Sequence, residues 1–187
     1  MCIRSAARSA RWRTTADVIS GLLRPGPLVA IQSVSCAAPG ECSAGGQDQE
    51  SASATQAFVV TDIRGRWGTA QQVPGLAALN SGKLAEIWAV ACGAPGECTA
   101  AGYYDDAHGD GEAFTARQMH GVWGRAEELT GTAALNRGGD AQVTQLSCPS
   151  AGHCAAGGDY LASTAGESPR PASLKQKGEQ VFVDTEG

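Results

Sequence analysis

The stretch Ser35-Cys36-Ala37-Ala38-Pro39-Gly40-Glu41-Cys42 decides how the rest of the chain is read. It returns as Ala91-Cys92-Gly93-Ala94-Pro95-Gly96-Glu97-Cys98, and again as Ser147-Cys148-Pro149-Ser150-Ala151-Gly152-His153-Cys154. From Cys36 to Cys92, and from Cys92 to Cys148, the step is 56 residues. Phe58 and Phe114, Trp67 and Trp123, and Asn80 and Asn136 keep the same step. Roughly two-fifths of the first two copies are identical without a gap, which marks an internal structural repeat.

One unit resolves into four short extended segments. In the second copy, Ala85–Cys92 alternates apolar and small residues and predicts a strand. The turn Ala94-Pro95-Gly96-Glu97 leads into a second strand, Cys98 to Tyr104. A polar tip, 105–111, precedes a third strand around Ala113–Arg117. His120-Gly121 forms a tight hairpin turn, and Val122–Ala126 begins the fourth strand. A longer connection, 130–139, reaches the next unit, while 51–55 reads as a plain loop. The expected fold is all-β: four-stranded antiparallel repeats resembling β-propeller blades, partial or three-bladed. A threefold β-trefoil or β-prism is the alternative architecture.

The expected units are a partial repeat at 1–30, the outer strand of a blade, then repeats at 31–86, 87–142 and 143–187. The last is incomplete and carries an insertion at about 167–178. Trp12 falls one residue out of register with Trp67, and Val181-Phe182-Val183 matches Ala57-Phe58-Val59. The chain is therefore expected to start inside one unit and stop inside another. The N-terminal segment would then supply the outer strand of the last blade, or a second copy would complete the ring. No continuous apolar stretch follows the N-terminal arginines, so no secretory signal is read there; a fragment whose start, signal included, lies upstream is the alternative to ring closure by the N-terminal segment.

The cysteines face each other across a hairpin, where Cα atoms stand about 4.5 to 5.5 Å apart, near the disulfide range. Three bridges are expected: Cys36 with Cys42, Cys92 with Cys98, and Cys148 with Cys154. Each closes a small loop and contributes roughly 2 kcal/mol. Zinc needs shorter Cys spacing or partnered histidines, and thioredoxin-like chemistry needs C-x-x-C. Reduced core thiols and metal or redox work stay as the alternatives. Cys2 is left over.

Fourteen Lys and Arg stand against nineteen Asp and Glu, a net charge of −5. Without a basic stripe, neither nucleic acid nor an anionic membrane surface is an expected partner. No apolar run of about 18 residues exists, so no membrane insertion is expected. No cofactor is expected either. The sequence lacks a nucleophile elbow, a zincin helix, a P-loop and a dinucleotide fingerprint, and no pair of carboxylates is fixed for glycoside cleavage.

The pattern S-C-x-x-x-G-x-C-x-A-x-G, followed by A-F and G-x-W-G-x-A, resembles secreted Cys-pair repeat proteins abundant in actinobacteria. The likeness covers Trp12 to about Tyr160. It implies propeller-like blades, export from the cell and no defined activity. Gly65-Arg66-Trp67 also has a likeness to the Asp-box turn, but Asp62 stands one residue too far away, so no sialidase chemistry is carried over.

Candidate contacts come from positions that vary between copies. Trp88 aligns with Gln32 and Thr144, and Tyr103 with Gln47 and Asp159. With Tyr104, Asp105 and Asp106 they form an aromatic and acidic group of the kind that binds sugars: rings stack on apolar sugar faces, and carboxylates accept from hydroxyls. A solvated hairpin tip is the plainer reading, and Asp105, Asp106 and Asp110 raise Ca2+ as another. Trp67 and Trp123, which recur, are read as packing residues between blades. The function expected is an extracellular, non-catalytic binding module for a glycan or cell-surface polymer. The alternatives are a fragment of a propeller-type glycoside hydrolase or lyase, and a truncated repeat protein without autonomous activity.

Overall fold

The computed structural model describes residues 28–162 and 181–185. Strands β1 (Leu28–Ala38), β2 (Glu41–Ser51), β3 (Ala54–Ile63), β4 (Arg66–Trp67) and β5 (Gln71–Gln72) form the first sheet. A single helical turn, α1 (Leu76–Leu79), leads to the second. That sheet holds β6 (Ala85–Ala94), β7 (Glu97–Asp105), β8 (Gly111–Met119), β9 (Val122–Trp123) and β10 (Glu127–Glu128). After α2 (Thr132–Leu135) come β11 (Gln142–Ser150), β12 (His153–Asp159) and β13 (Val181–Thr185), the third sheet. Every ladder within these sheets is antiparallel. The protein is all-β, and its elements repeat in the order the cysteine spacing predicts.

Each expected disulfide is present. Cys36–Cys42, Cys92–Cys98 and Cys148–Cys154 bring Cα atoms to 4.0, 3.9 and 4.1 Å. In each hairpin the turn glycine, Gly40, Gly96 or Gly152, has φ of 77°, 74° or 75°, a left-handed conformation that favours glycine.

Several expectations are corrected. The loop expected at 51–55 is a tight turn at Ala52-Ser53, because β2 runs on to Ser51 and β3 starts at Ala54. The fourth strand is broken in two. β9 and β10 both pair with β8 but are separated at 124–126, where the Gly124 N–H bonds to Arg117 O. The connections contain α1 and α2, four residues each, too short for any 3.6-residue period to announce them. In β13, Val181 pairs with Gly158 and Phe182 with Gly157. Gly46 pairs with Phe58 in the first sheet, so Val181 stands at the place of Phe58, one residue from the expected match. Of the partial repeat expected at 1–30, residues 1–27 lie outside the described residues, while Leu28, Val29 and Ala30 open β1 and pair with β2 in the first sheet. Cys2, Trp12 and the insertion at 167–178 also lie outside the described residues.

Each inner strand carries a bulge at one repeat position: Gln32, Trp88 or Thr144 is the extra residue facing a ladder step. The bulge explains the glycine of the A-x-G pattern. A Cβ on Gly46, Gly102 or Gly158 would lie 1.9, 1.9 or 2.0 Å from the carbonyl oxygen of Ala30, Glu86 or Gln142.

The sheets pack in chain order through their first strands, β1 against β6 and β6 against β11. Single parallel bridges, Thr55 with Leu84 and Gly111 with Asp140, tie each sheet to the start of the next. Between the first two sheets, Val59, Val73 and Leu76 meet Ile87, Val90, Tyr104, Phe114 and Trp123. Between the second and third, Ala101, Ala113 and Leu129 meet Val143, Ala156 and Tyr160. Trp123 packs between sheets as expected, 5 % exposed, and its Nε1–H donates to Thr61 Oγ1 at 3.1 Å. Trp67 is half-buried against Phe58 and Val60.

Candidate functional site

Alternating antiparallel strands give each sheet two ends. The disulfide turns sit at one end. The turns at Ala52-Ser53 and 106–110 sit at the other, beside the chain entering the next sheet. This second end gathers the polar side chains. Its geometry starts from the hairpin register: Glu86 on β6 stands opposite Tyr103 on β7. The same pair of positions is Ala30 with Gln47 in the first sheet and Gln142 with Asp159 in the third. With its amide oriented to donate, Gln47 reaches both carboxylate oxygens of Glu86, so the first sheet is tied to the second at this rim. Gln142 Nε2 donates to Asp159 at 3.1 Å.

Asp105 is held by backbone. Its N–H donates to Leu84 O at 2.8 Å, and its carbonyl accepts from Gly82 N–H at 2.9 Å. A Cβ on Gly82 would come 2.5 Å from the Asp105 Cβ, so the incoming loop presses on this residue. Asp106 serves its own turn: its Oδ1 accepts the N–H groups of His108 at 2.7 Å and Asp110 at 3.0 Å.

Crowded acids perturb one another here. Burial first, and then the charge of Asp105, raise the Glu86 carboxyl above its usual range. Burial and the charges of Asp106, Asp140 and Asp110 raise Asp105. Glu112 is raised by burial and by Glu128, Asp106 and Asp110, against a hydrogen bond to Asn136 that lowers it. The Tyr103 hydroxyl is pushed up to about 12 by burial and by Glu86, Asp105 and Asp140. For Asp106, burial pushes upward, but the N–H bonds from Asp110 and His108 outweigh it and hold the carboxyl low.

The five expected contact residues separate into four groups. Tyr103 and Asp105 lie together with Glu86 at the rim. Trp88 is 41 % exposed as the bulge residue of β6, two positions beyond Glu86. Tyr104 is 3 % exposed inside the core; its ring centroid lies 6.3 Å from that of Phe114 and its hydroxyl donates to Glu128 at 3.3 Å. Asp106 caps its own loop. Among the described residues, no group of three His, Cys, Asp or Glu side chains is arranged to hold a metal ion.

Glu86, Asp140 and Gln47 did not stand out in the sequence. The signal for Glu86 is the ladder register counted outward from Cys92 and Cys98, which reaches Glu86 opposite Tyr103 only when one bulge residue is allowed; Gln47 is the repeat equivalent of Tyr103, and Asp140 lies in the connection, where no register reaches it. Chemically, the rim offers carboxyl and amide acceptors, amide donors and one phenol ring, a set suited to hydroxyl groups.

No family model and no curated protein matches the chain. Three disulfides fit an oxidising, extracellular setting. Among the described residues, no helix is long and apolar enough to cross a membrane.

Proposed function

We propose that the chain is a secreted, non-catalytic binding module, built as consecutive blades of a propeller-type array, that holds a glycan or cell-surface polymer along its acidic and aromatic rim. The blade reading is supported by three separate sheets whose first strands pack in chain order, where a trefoil would join strands of different units into one barrel. The observation that carries the binding reading is one repeat position furnished three ways. Ala30 with Gln47, Glu86 with Tyr103 and Gln142 with Asp159 lie at the same place on a disulfide-closed frame. A rigid scaffold with varied side chains at one rim is how repeat proteins make binding surfaces. Trp88 adds an exposed ring at the neighbouring bulge.

The test is a glycan array followed by titration of the best polysaccharide against Tyr103→Ala and Glu86→Gln. The expected outcome is binding without turnover, weakened about tenfold by either substitution. Absence of binding to every glycan, or binding that neither substitution changes, rejects the reading. Release of new reducing ends would replace it with a hydrolase or lyase, in which the raised carboxyls Glu86 and Asp105 are the groups to substitute first.

A further inference from the structure

The three inner strands differ in how they are covered. At 89–91, past the exposed bulge at Trp88, β6 is buried on both faces: Ala89, Val90 and Ala91 are 6 %, 7 % and 7 % exposed. β1 and β11 are covered on one face each. Along β1, Gln32, Val34 and Cys36 are exposed, alternating with half-buried Ile31, Ser33 and Ser35. Along β11, Gln145, Ser147 and Pro149 are exposed, alternating with half-buried Leu146 and Cys148.

The two open faces are unlike, and they are the two halves of a contact the chain already makes. Ser33 Oγ accepts the Val90 N–H at 2.9 Å, and Ser35 Oγ accepts the Cys92 N–H at 3.1 Å. Val34 and Cys36 stand one repeat before Val90 and Cys92, so β1 exposes the face that β6 turns toward β1. Gln145 and Ser147 stand two repeats after Ser33 and Ser35, so β11 exposes the face that β1 turns toward β6. Val34 is 59 % exposed where Val90 is 7 %.

We propose that a second copy of this chain sets its β1 against β11 in the arrangement that β6 has against β1. Ser147 then accepts the Cys36 N–H of the second copy, and Gln145 accepts the N–H of its Val34. Neither open face carries a charge, so the contact buries none. Such a head-to-tail contact closes when rotation brings the other two faces together. Counting the sheets among the described residues, two copies give six, inside the range of about four to eight over which propellers close, whereas three and nine fall outside it. The number of copies rests on the propeller reading; the contact rests on the repeated strand pairing alone, and neither depends on a glycan.

Sedimentation velocity of the full chain, up to about 100 µM, tests this with Val34→Lys, Ser147→Glu and the double variant. Both positions are exposed, and circular dichroism with intact disulfide mass verifies the fold of each variant. The expected result is a species of twice the 19.0 kDa chain mass. Each single substitution should weaken it about tenfold or more, and the double variant should regain affinity as opposite charges meet across the contact. A monomer at every concentration, or a dimer that neither substitution weakens, overturns the proposal. A double variant weaker than both singles also overturns it, because like faces would then be meeting. A monomer whose glycan binding still fails on Tyr103→Ala removes this inference and leaves the proposed function standing.

Discussion

The contact between the first and second sheets and the contact between the second and third use the same backbone and differ in what fills it. In the first, Thr61 Oγ1 is a hub. Gln118 Nε2 donates to it at 2.7 Å and Trp123 Nε1 at 3.1 Å, while Ser43 Oγ lies 3.4 Å away and donates to Gln118 Oε1 at 3.3 Å. Ser43, Gln118 and Trp123 are all buried. In the second contact, one repeat later, Arg117 takes the place of Thr61 and Thr99 that of Ser43. The Arg117 guanidinium reaches Gly152 O at 3.0 Å, exposed, and a cleft of about 320 Å3 lies between Glu97, Arg117, Met119 and His153. The inner strands differ in the same sense. Ser33 and Ser35 bond the next strand, whereas Ala89 and Ala91 at the equivalent places have no hydroxyl to do so. A shared repeat therefore sets where sheets meet, and individual side chains set how tightly.

The largest test of this difference is core truncation. Phe114→Ala, at a side chain with 0 % exposure in the first contact, should lower unfolding free energy by about 3–5 kcal/mol. Leu129→Ala, set among alanines in the second contact, should lower it by about 2–3 kcal/mol. Denaturant melts read both, and equal losses would break the contrast.

A finer test uses one repeat position twice. Thr61→Val strips the acceptor from the Trp123 and Gln118 donors inside a buried network and should cost about 1–3 kcal/mol. Arg117→Val loses an exposed bond and should cost about 0.5 kcal/mol or less. Similar costs at the two positions would show that the hub holds nothing extra.

The smallest effect is a pH slope belonging to the second sheet. Glu86, Asp105 and Glu112 have raised carboxyls, while the first sheet has Ala30, Gln49 and Gln56 at those places. The folded chain therefore holds protons that the unfolded chain has released. Stability is greatest near and below the ordinary carboxylate range and falls as pH rises through the raised values. Asp106, held low, acts in the opposite sense on the acid side. Thermal melts from about pH 4 to 8 should show this decline, flattened by Glu86→Gln and Asp105→Asn. Absorbance titration should place the Tyr103 phenol near 12, lower once Glu86 is neutral.

The hairpins, their disulfides and the order of the sheets were legible because a cysteine pair around a Pro/Gly or Gly turn repeats at fixed spacing. Recurrence also separated inside from outside. Phe58 with Phe114 and Tyr104 with Tyr160 recur and are buried, whereas Gln32, Trp88 and Thr144 vary and occupy the bulge. Tyr104, grouped with Tyr103 by adjacency, belonged with the core by its recurrence at Tyr160. The bulge left no mark of its own, since an extra residue in a strand of small and apolar residues changes no composition. Counting from the cysteines without it puts the wrong residue opposite Tyr103 and hides Glu86. The shift of β13 was hidden similarly, because Val, Phe and Val offer no asymmetry by which sequence could fix their register.

The account stands on three hairpins each closed by its own disulfide, and peptide mapping without reduction tests this most directly. Tryptic cleavage after Arg64, Lys83, Arg117 and Arg137 places each cysteine pair on a separate peptide. The predicted result is three unlinked peptides, each two hydrogens lighter than its reduced form and none labelled by a thiol reagent. Peptides cross-linked between units, or labelled thiols at any of the six positions, would contradict it.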